Sequence, residues 1–504
     1  MAAAVLQRSL ADERATTLLG ADLAMVMRVG DVFLLKGDLG AGKTTLARGL
    51  IRALAGDPDL DVPSPTFTLV QAYDTPLPVS HVDLYRLSAP EEIEELGLDD
   101  ALKTGAVLME WPERAADRLP GDAITVALAD DARAGRTAVI SGPDEALARI
   151  ARSFACHDFL DAAGWEGADR RRFVGDASAR SYETVTLAER PLRVLMNSPR
   201  PVPGPPVHDG KAYAEIARSA RTVSAFVGVA HLLREAGVCV PAILAQDLDR
   251  GLLLIEHLGT KPFLSTEGIP LVERYAAAAR LLAFIHGRRW SFRAAVAPGV
   301  EHVVPPFDRD AMMIELELLL DWYLPFAAER PASPGERAAF GRAWGSALDR
   351  LERCETSIVL RDFHSPNIVW RGDKTGHDRL GILDFQDALV GPAAYDVASL
   401  ALDARVTVPD AIEAATIEAY CEARGGDDGF DRAAFEAAYA IMGAQRNSKI
   451  LGIFVRLKER DGKPQYLRHL PRIRAYLRKT LRHPALAEVA GFYEQHGILE
   501  ERTP

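Results

Sequence analysis

Cysteines that could act as a pair are missing from this chain. Cys156, Cys239, Cys354 and Cys421 are scattered over 504 residues with no C-x-x-C spacing. That argues against a zinc site and a disulfide framework, fits a reducing cytoplasm, and leaves the thiols as core residues. No segment of transmembrane length is free of charges, and the opening MAAAVLQRSLADERAT lacks the apolar stretch of a signal peptide. A cytoplasmic protein without direct membrane contact is expected. Internal repeats and low-complexity tracts are absent as well. Basic residues are scarce at the start: residues 1–150 hold 14 Lys and Arg against 24 Asp and Glu, ten of the twelve net negative charges. Such a region is poorly suited to gripping a nucleic-acid backbone by itself.

The length exceeds one hydrophobic core, and 48% apolar with 26% charged residues reads as ordinary globular protein. Apolar runs DVFLLKG (31–37), LPVSHVDLY (77–85) and GAVLME (105–110) alternate with helix-like TTLARGLIRAL (44–54), which predicts a parallel α/β sheet. DAITVAL (122–128) and RTAVISG (136–142) read as a closing hairpin. A helical pattern then starts at Pro143 and Asp144, with apolar Leu147, Ile150, Phe154 and Phe159 or Leu160, and the domain boundary is set near 142–155. Short strand-like runs dominate from Arg172 to Ile255, interrupted by a Pro-rich extended loop at 198–207. Helical periodicity follows residue 260, broken at 358–370 and 380–388. The expected layout is a domain at 1–148 and a second at 149–504, the latter with a small lobe to about 257 and a large helical lobe beyond. A strand-rich lobe followed by a helical one is the layout of kinase-like enzymes.

Gly37-Asp38-Leu39-Gly40-Ala41-Gly42-Lys43-Thr44 fits G-x-x-x-x-G-K-[ST], with an apolar run before it and a Pro-free helical run after it. Glycines let the backbone N–H groups curl around phosphate oxygens, and the following helix adds its positive end. Lys43 is expected on the β- and γ-phosphates of ATP, the Thr44 hydroxyl on Mg²⁺, and Thr45 completes the nucleotide-binding set. Asp83 and Glu110 lie where a parallel sheet delivers ligand-binding groups. Of these carboxylates one should hold the metal and the other serve the attacking water; Asp83 is assigned to the cation and Glu110 to catalysis.

GDLGAGKTTLARG, SPTFTLVQAY (64–73), HVDLYRL (81–87) and LMEWPER (108–114) together resemble the ATPase subunit of the bacterial tRNA threonylcarbamoyladenosine machinery over residues 5–142. The resemblance implies an ATPase that acts within a protein complex and meets tRNA only through its partner subunits. It also implies a nucleotide-sensing loop at Ser64-Pro65-Thr66 and a place for Trp111 beside Glu110.

In the second part, Arg361-Asp362-Phe363-His364-Ser365-Pro366-Asn367 and Gly381-Ile382-Leu383-Asp384-Phe385 reproduce the order of a kinase catalytic loop and metal strand. Asp362 is the expected proton acceptor, and Asn367 and Asp384 the expected Mg²⁺ ligands. Gln386 replaces the glycine of D-F-G, no A-P-E follows it, and no G-x-G-x-x-G opens the small lobe, so protein phosphorylation is not expected. The turn Gly175–Arg180 is a candidate phosphate cover. Met196 stands where a small-lobe strand usually offers Lys; Met196 and Glu256 are placed at the nucleotide, with Arg180 or Lys211 as auxiliary cations. Asp396 is read as a structural carboxylate bracing the catalytic loop. Residues 446–482 carry twelve Lys and Arg against two acidic residues, expected as a solvated helical face, with a basic wall toward an anionic substrate as the alternative.

GDASARSY, RVLMNSP, LLLIEHLG, RDFHSPN, LDFQDALVGPAAYDVASL and QRNSKILGIFVRLKERDGKPQYL resemble the aminoglycoside phosphotransferase superfamily and, within it, the cell-wall amino-sugar kinases, over about 150–490. The resemblance implies transfer from ATP to the anomeric hydroxyl of N-acetylmuramate or N-acetylglucosamine in peptidoglycan recycling. The fold class expected is therefore an α/β P-loop NTPase domain followed by a two-lobed α+β kinase-like domain. The alternatives are another acceptor alcohol, such as an aminoglycoside or a choline-like one, and a catalytically silent docking domain.

Overall fold

Apolar alternation among the described residues of the first 141 resolves into seven strands: β1 (Leu6–Leu10), β2 (Val32–Lys36), β3 (Val70–Tyr73), β4 (Val79–Asp83), β5 (Ala106–Glu110), β6 (Ile124–Asp131) and β7 (Gly135–Ser141). The computed structural model describes residues 5–131, 135–173 and 180–500. The strands form one sheet in the order β1-β7-β6-β2-β5-β4-β3. Its centre, β6-β2-β5-β4, is parallel, and β6–β7 is the antiparallel hairpin expected from the sequence. Helices α1 (Glu13–Ala24) and α2 (Lys43–Ala55) belong to the same layered domain. Phe33, Leu35 and Leu108 pack into one core with Leu46 and Leu50, whereas Val32, Leu34, Val107 and Met109 pack into the other with Val82 and Leu84. Successive strand residues point to opposite faces, and both faces are covered, so β2 reads as an unbroken apolar run. The parallel centre delivers the carboxyl ends of β2, β4 and β5 to one edge, where ligands of open α/β sheets gather.

The helix Asp144–Ala162 follows without a break. Its Leu147, Ile150 and Phe154 join the first core, and its Cys156, Phe159 and Leu160 join a further core with Val185, Leu195, Leu252 and Leu254. These last residues belong to a five-stranded sheet ordered Ile243–Asp247, Leu252–Glu256, β10 (Arg193–Asn197), β9 (Ser181–Thr186) and β8 (Asp169–Arg172). Strand β8, all Asp and Arg, has no apolar pattern to betray it. Its buried Arg170 instead pairs with Glu183 of β9 at 2.7 Å and with Asp22 of α1 at 2.8 Å. One helix and one buried ion cluster thus hold the two sheets together. Residues up to 199 with 244–255 form one compact unit, and 200–243 with 256 onward form another; the partition expected at 148/149 runs through the helix.

In the second unit the expected interruptions are strands: Thr356–Val359 pairs with Leu389–Pro392, and Ile368–Trp370 pairs with Leu380–Ile382. The helix Val223–Glu235, inside the stretch expected to be strand-rich, is new. Most of its residues are buried, so it has no broad polar face to set a 3.6-residue period. The long helix Arg432–Glu459 and the helices Ala394–Ala401 and Leu470–Thr480 pack together in the same unit. Among the described residues no helix is long and apolar enough to cross a membrane. Among the described residues no cysteine pairs in a disulfide; Cys156 and Cys421 are buried as expected, while Cys239 and Cys354 are half-buried.

Candidate active sites

The phosphate loop joins β2 to α2. Gly37 and Gly42 have φ of 142° and 100°, and a Cβ on Gly37 would meet the Leu128 carbonyl oxygen at 2.5 Å, so the loop needs glycine there. Lys43 donates to the carbonyl oxygens of Gly37 (2.6 Å) and Asp38 (2.9 Å), and its ammonium lies 3.7 Å from the centre of the Trp111 ring. Burial lowers the Lys43 pKa, against the raising influence of Glu110, Glu113 and Asp83. Leu39 is exposed at the loop tip, and Arg136 of β7, which the motif does not signal, donates to the Gly40 carbonyl at 2.9 Å. Thr45 follows Thr44 in the first turn of α2.

Glu110 and Asp83 sit side by side at the ends of β5 and β4, both 2% exposed. The Thr44 hydroxyl donates to Glu110 at 3.0 Å, and the buried His81 ring lies 2.9 Å from the other oxygen of that carboxylate. Asp83 accepts from Ser64 (2.5 Å), Thr66 (2.8 Å) and the Tyr85 N–H (2.9 Å). The expected division, Thr44 with Asp83 on the cation and Glu110 on water, does not match this pairing. The cause is topological: β5 adjoins β2 directly, while β4 lies one strand further out. His81 was legible only as a residue two before Asp83, on the same face of β4.

In the second unit the catalytic loop is held by carboxylates beneath it. Asp396 accepts the N–H groups of Leu360 (2.6 Å) and Arg361 (2.9 Å), the bracing role expected of it. Asp403 accepts the Ser365 N–H at 2.9 Å and hydroxyl at 2.5 Å. Asn367 donates to the Asp362 carbonyl at 3.0 Å and reaches Asp384 at 3.4 Å, so the three expected residues are brought together. Gln386 donates to Asp384 at 2.8 Å, which gives the departure from D-F-G a use. Below the loop, Glu315 is fully buried among Arg361, Lys449 (2.7 Å) and Gln445 (3.0 Å). Burial alone would raise its pKa, but Arg361 and Lys449 hold it down to about 2.

The basic run is not a uniformly solvated face. Arg460, Arg468, Arg478 and Arg482 are exposed, but Arg446 is 4% exposed and points toward Asp362, with Nη2 at 3.9 Å from Oδ1. Helix geometry is the reason: residues 445, 446 and 449 share one face, which packs against Glu315 and the catalytic loop. Met196 is buried on β10 and, with Val194, faces away from Leu195. Glu256 ends the strand Leu252–Glu256 and accepts from the Ala242 N–H at 3.2 Å; Lys211 is exposed. Of the turn Gly175–Arg180, residues 175–179 lie outside the described residues.

Both sites suit a hard cation. A Thr hydroxyl with a carboxylate, and an Asn amide with a carboxylate, are oxygen donors of the kind Mg²⁺ takes in small number, with phosphate and water supplying the rest. Among the described residues no cluster of three or more His, Cys, Asp or Glu side chains forms a dedicated metal cage.

Phosphate loop and kinase-type triad define a phosphoryl-transfer protein with two nucleotide-handling sites, one of the P-loop class and one of the kinase-like class. Residues 169–435 match the phosphotransferase enzyme family, and the chain belongs to it. Residues 10–138 match the family described as threonylcarbamoyl adenosine biosynthesis protein TsaE, so a TsaE-like domain precedes the phosphotransferase. The N-acetylmuramate/N-acetylglucosamine kinase of Caulobacter vibrioides is 33% identical over 361 residues, 68% of this chain and 96% of that protein. The kinase of the same name from Pseudomonas aeruginosa is 34% identical over 322 residues, 62% of this chain and 84% of that protein. The tRNA threonylcarbamoyladenosine biosynthesis protein TsaE of Rickettsia bellii is 42% identical over 123 residues, 24% of this chain and 85% of that protein.

Proposed function

We propose that the protein is bifunctional: an ATP-dependent kinase of the anomeric hydroxyl of N-acetylmuramate and N-acetylglucosamine, fused to an ATPase that supports tRNA threonylcarbamoyladenosine formation in the cytoplasm. The observation that carries the kinase reading is the convergence of Asp362, Asn367 and Asp384 in a chain that spans nearly all of a named amino-sugar kinase. Asp362 accepts the proton of the sugar hydroxyl as the hydroxyl oxygen attacks the γ-phosphorus. Asp396 and Asp403 fix the loop, so the carboxylate is already aimed when substrate arrives. Mg²⁺, held by Asn367 and Asp384, would neutralise phosphate oxygens there.

In the N-terminal site, Lys43 leaves the Gly37 and Asp38 carbonyls for the phosphates. Thr44 and Glu110 form the cation pair, and Asp83 orients the attacking water, its position reporting on the loop through Ser64 and Thr66. This domain acts with protein partners that carry the tRNA. Incubating the chain with labelled ATP and a panel of amino sugars, aminoglycosides and amino alcohols tests the kinase reading. Label on the two N-acetylated sugars alone, with phosphorus–carbon coupling at C1, is expected. Coupling at C6, or transfer to an aminoglycoside instead, would refute it.

A further inference from the structure

Phosphoryl transfer spreads negative charge over the moving group, and cations must face it. Loop residues 362–367 contain no Lys or Arg. His364, at the centre of the loop, has its pKa lowered by burial, against the raising influence of Asp403, and Arg446 lowers it further. Arg361 and Lys449 are both engaged by Glu315. Arg446, from the helix Arg432–Glu459, is differently placed. Its Nη2 lies 3.9 Å from Asp362, beyond hydrogen-bond length, and its Nε and Nη1 are sealed from solvent with no hydrogen-bond partner. Leaving such donors unmade is costly, and buried polar groups without partners mark places where a ligand or water is expected. The Tyr395 hydroxyl and His364 Nδ1, both within the electrostatic reach of Arg446, are unpartnered too.

We propose that Arg446 is a catalytic residue of the transfer, its Nη2, the nitrogen that faces Asp362, donating to an oxygen of the γ-phosphoryl group as that group moves. The inference rests on the kinase reading above. The bond from the sugar oxygen to phosphorus forms while the bond to the ADP oxygen breaks. The hydroxyl proton passes to Asp362, the leaving electron pair stays on ADP, and Arg446 keeps its proton throughout. The cation that the catalytic loop lacks is thereby supplied from a helix some 80 residues further along the chain.

The full-length Arg446→Met and Arg446→Lys variants test this with both N-acetylmuramate, which carries a carboxylate, and N-acetylglucosamine, which does not. The Met variant should lose about 10²–10³-fold in kcat, the usual cost of removing one transition-state donor, equally for both sugars and with little change in sugar KM. The Lys variant should recover part of the loss, and both should keep wild-type thermal unfolding. A defect confined to the KM for N-acetylmuramate would assign Arg446 to the sugar carboxylate and overturn the proposal. So would an equal loss in both variants that tracks a lowered Tm. Slow ATP hydrolysis at the kinase site, read in a Lys43→Ala background, separates this proposal from the sugar assignment. If neither sugar is phosphorylated by the wild type, the Met variant should still slow that hydrolysis, and an unchanged rate would overturn the role.

Discussion

The two sites handle the same phosphates with opposite means. In the N-terminal site the cradle is backbone, a glycine loop of eight consecutive residues closed by one Lys and capped by a Trp ring. In the C-terminal site the working groups are side chains drawn from distant segments: a loop at 362–367, a carboxylate at 384, braces at 396 and 403, and charges at 315, 446 and 449. A site made of backbone is fixed by local geometry and tolerates change around it. A site made of side chains depends on buried carboxylates far along the chain, and that difference can be measured.

The sharpest break should come at Asp384. Asp384→Asn is expected to lose more kinase activity than Asp362→Asn, whose own loss should fall near 10²–10⁴-fold, the range of general-base assistance. Single-turnover transfer and ATP-binding titrations check both, and binding should survive in Asp362→Asn. In the N-terminal site, Glu110→Gln should weaken Mg²⁺-dependent nucleotide binding, whereas Asp83→Asn should bind nucleotide normally and hydrolyse it slowly. If the two phenotypes are exchanged, the Thr44–Glu110 pair is not the cation site. Glu315→Ala leaves Arg361 and Lys449 buried without their counter-charge and should cost about 3–5 kcal/mol in denaturant unfolding. No comparable loss should follow exposed Leu39→Ala in the phosphate loop. Least affected should be Met196→Ala, at about tenfold or less in kcat/KM, or about 1.4 kcal/mol. A defect as large as that of Asp384→Asn would place a phosphate anchor on β10.

What the sequence disclosed follows the same division. The phosphate loop, the strands β2, β4 and β5, the β6–β7 hairpin and the set Asp362, Asn367 and Asp384 were legible because each depends on local pattern or on fixed spacing. Strand order was not, and it is strand order that pairs Thr44 with Glu110 and leaves Asp83 to Ser64 and Thr66. Strand β8 escaped because its stabilisation is ionic, through Arg170, and the helix Val223–Glu235 because burial removed its polar face. Arg446 was seen only as one of twelve charges in a basic run. Its inward direction depends on which face of a 28-residue helix meets the catalytic loop, which charge patterning does not reveal.

Two separate phosphoryl-transfer chemistries share one chain, although the helix Asp144–Ala162 and the Arg170 cluster bind the N-terminal sheet to the five-stranded one. Lys43→Ala in the full-length protein tests it directly, with ATP hydrolysis and sugar phosphorylation followed in the same preparation. Loss of the N-terminal hydrolysis with unchanged sugar phosphorylation is the predicted result; a parallel collapse of both would contradict it.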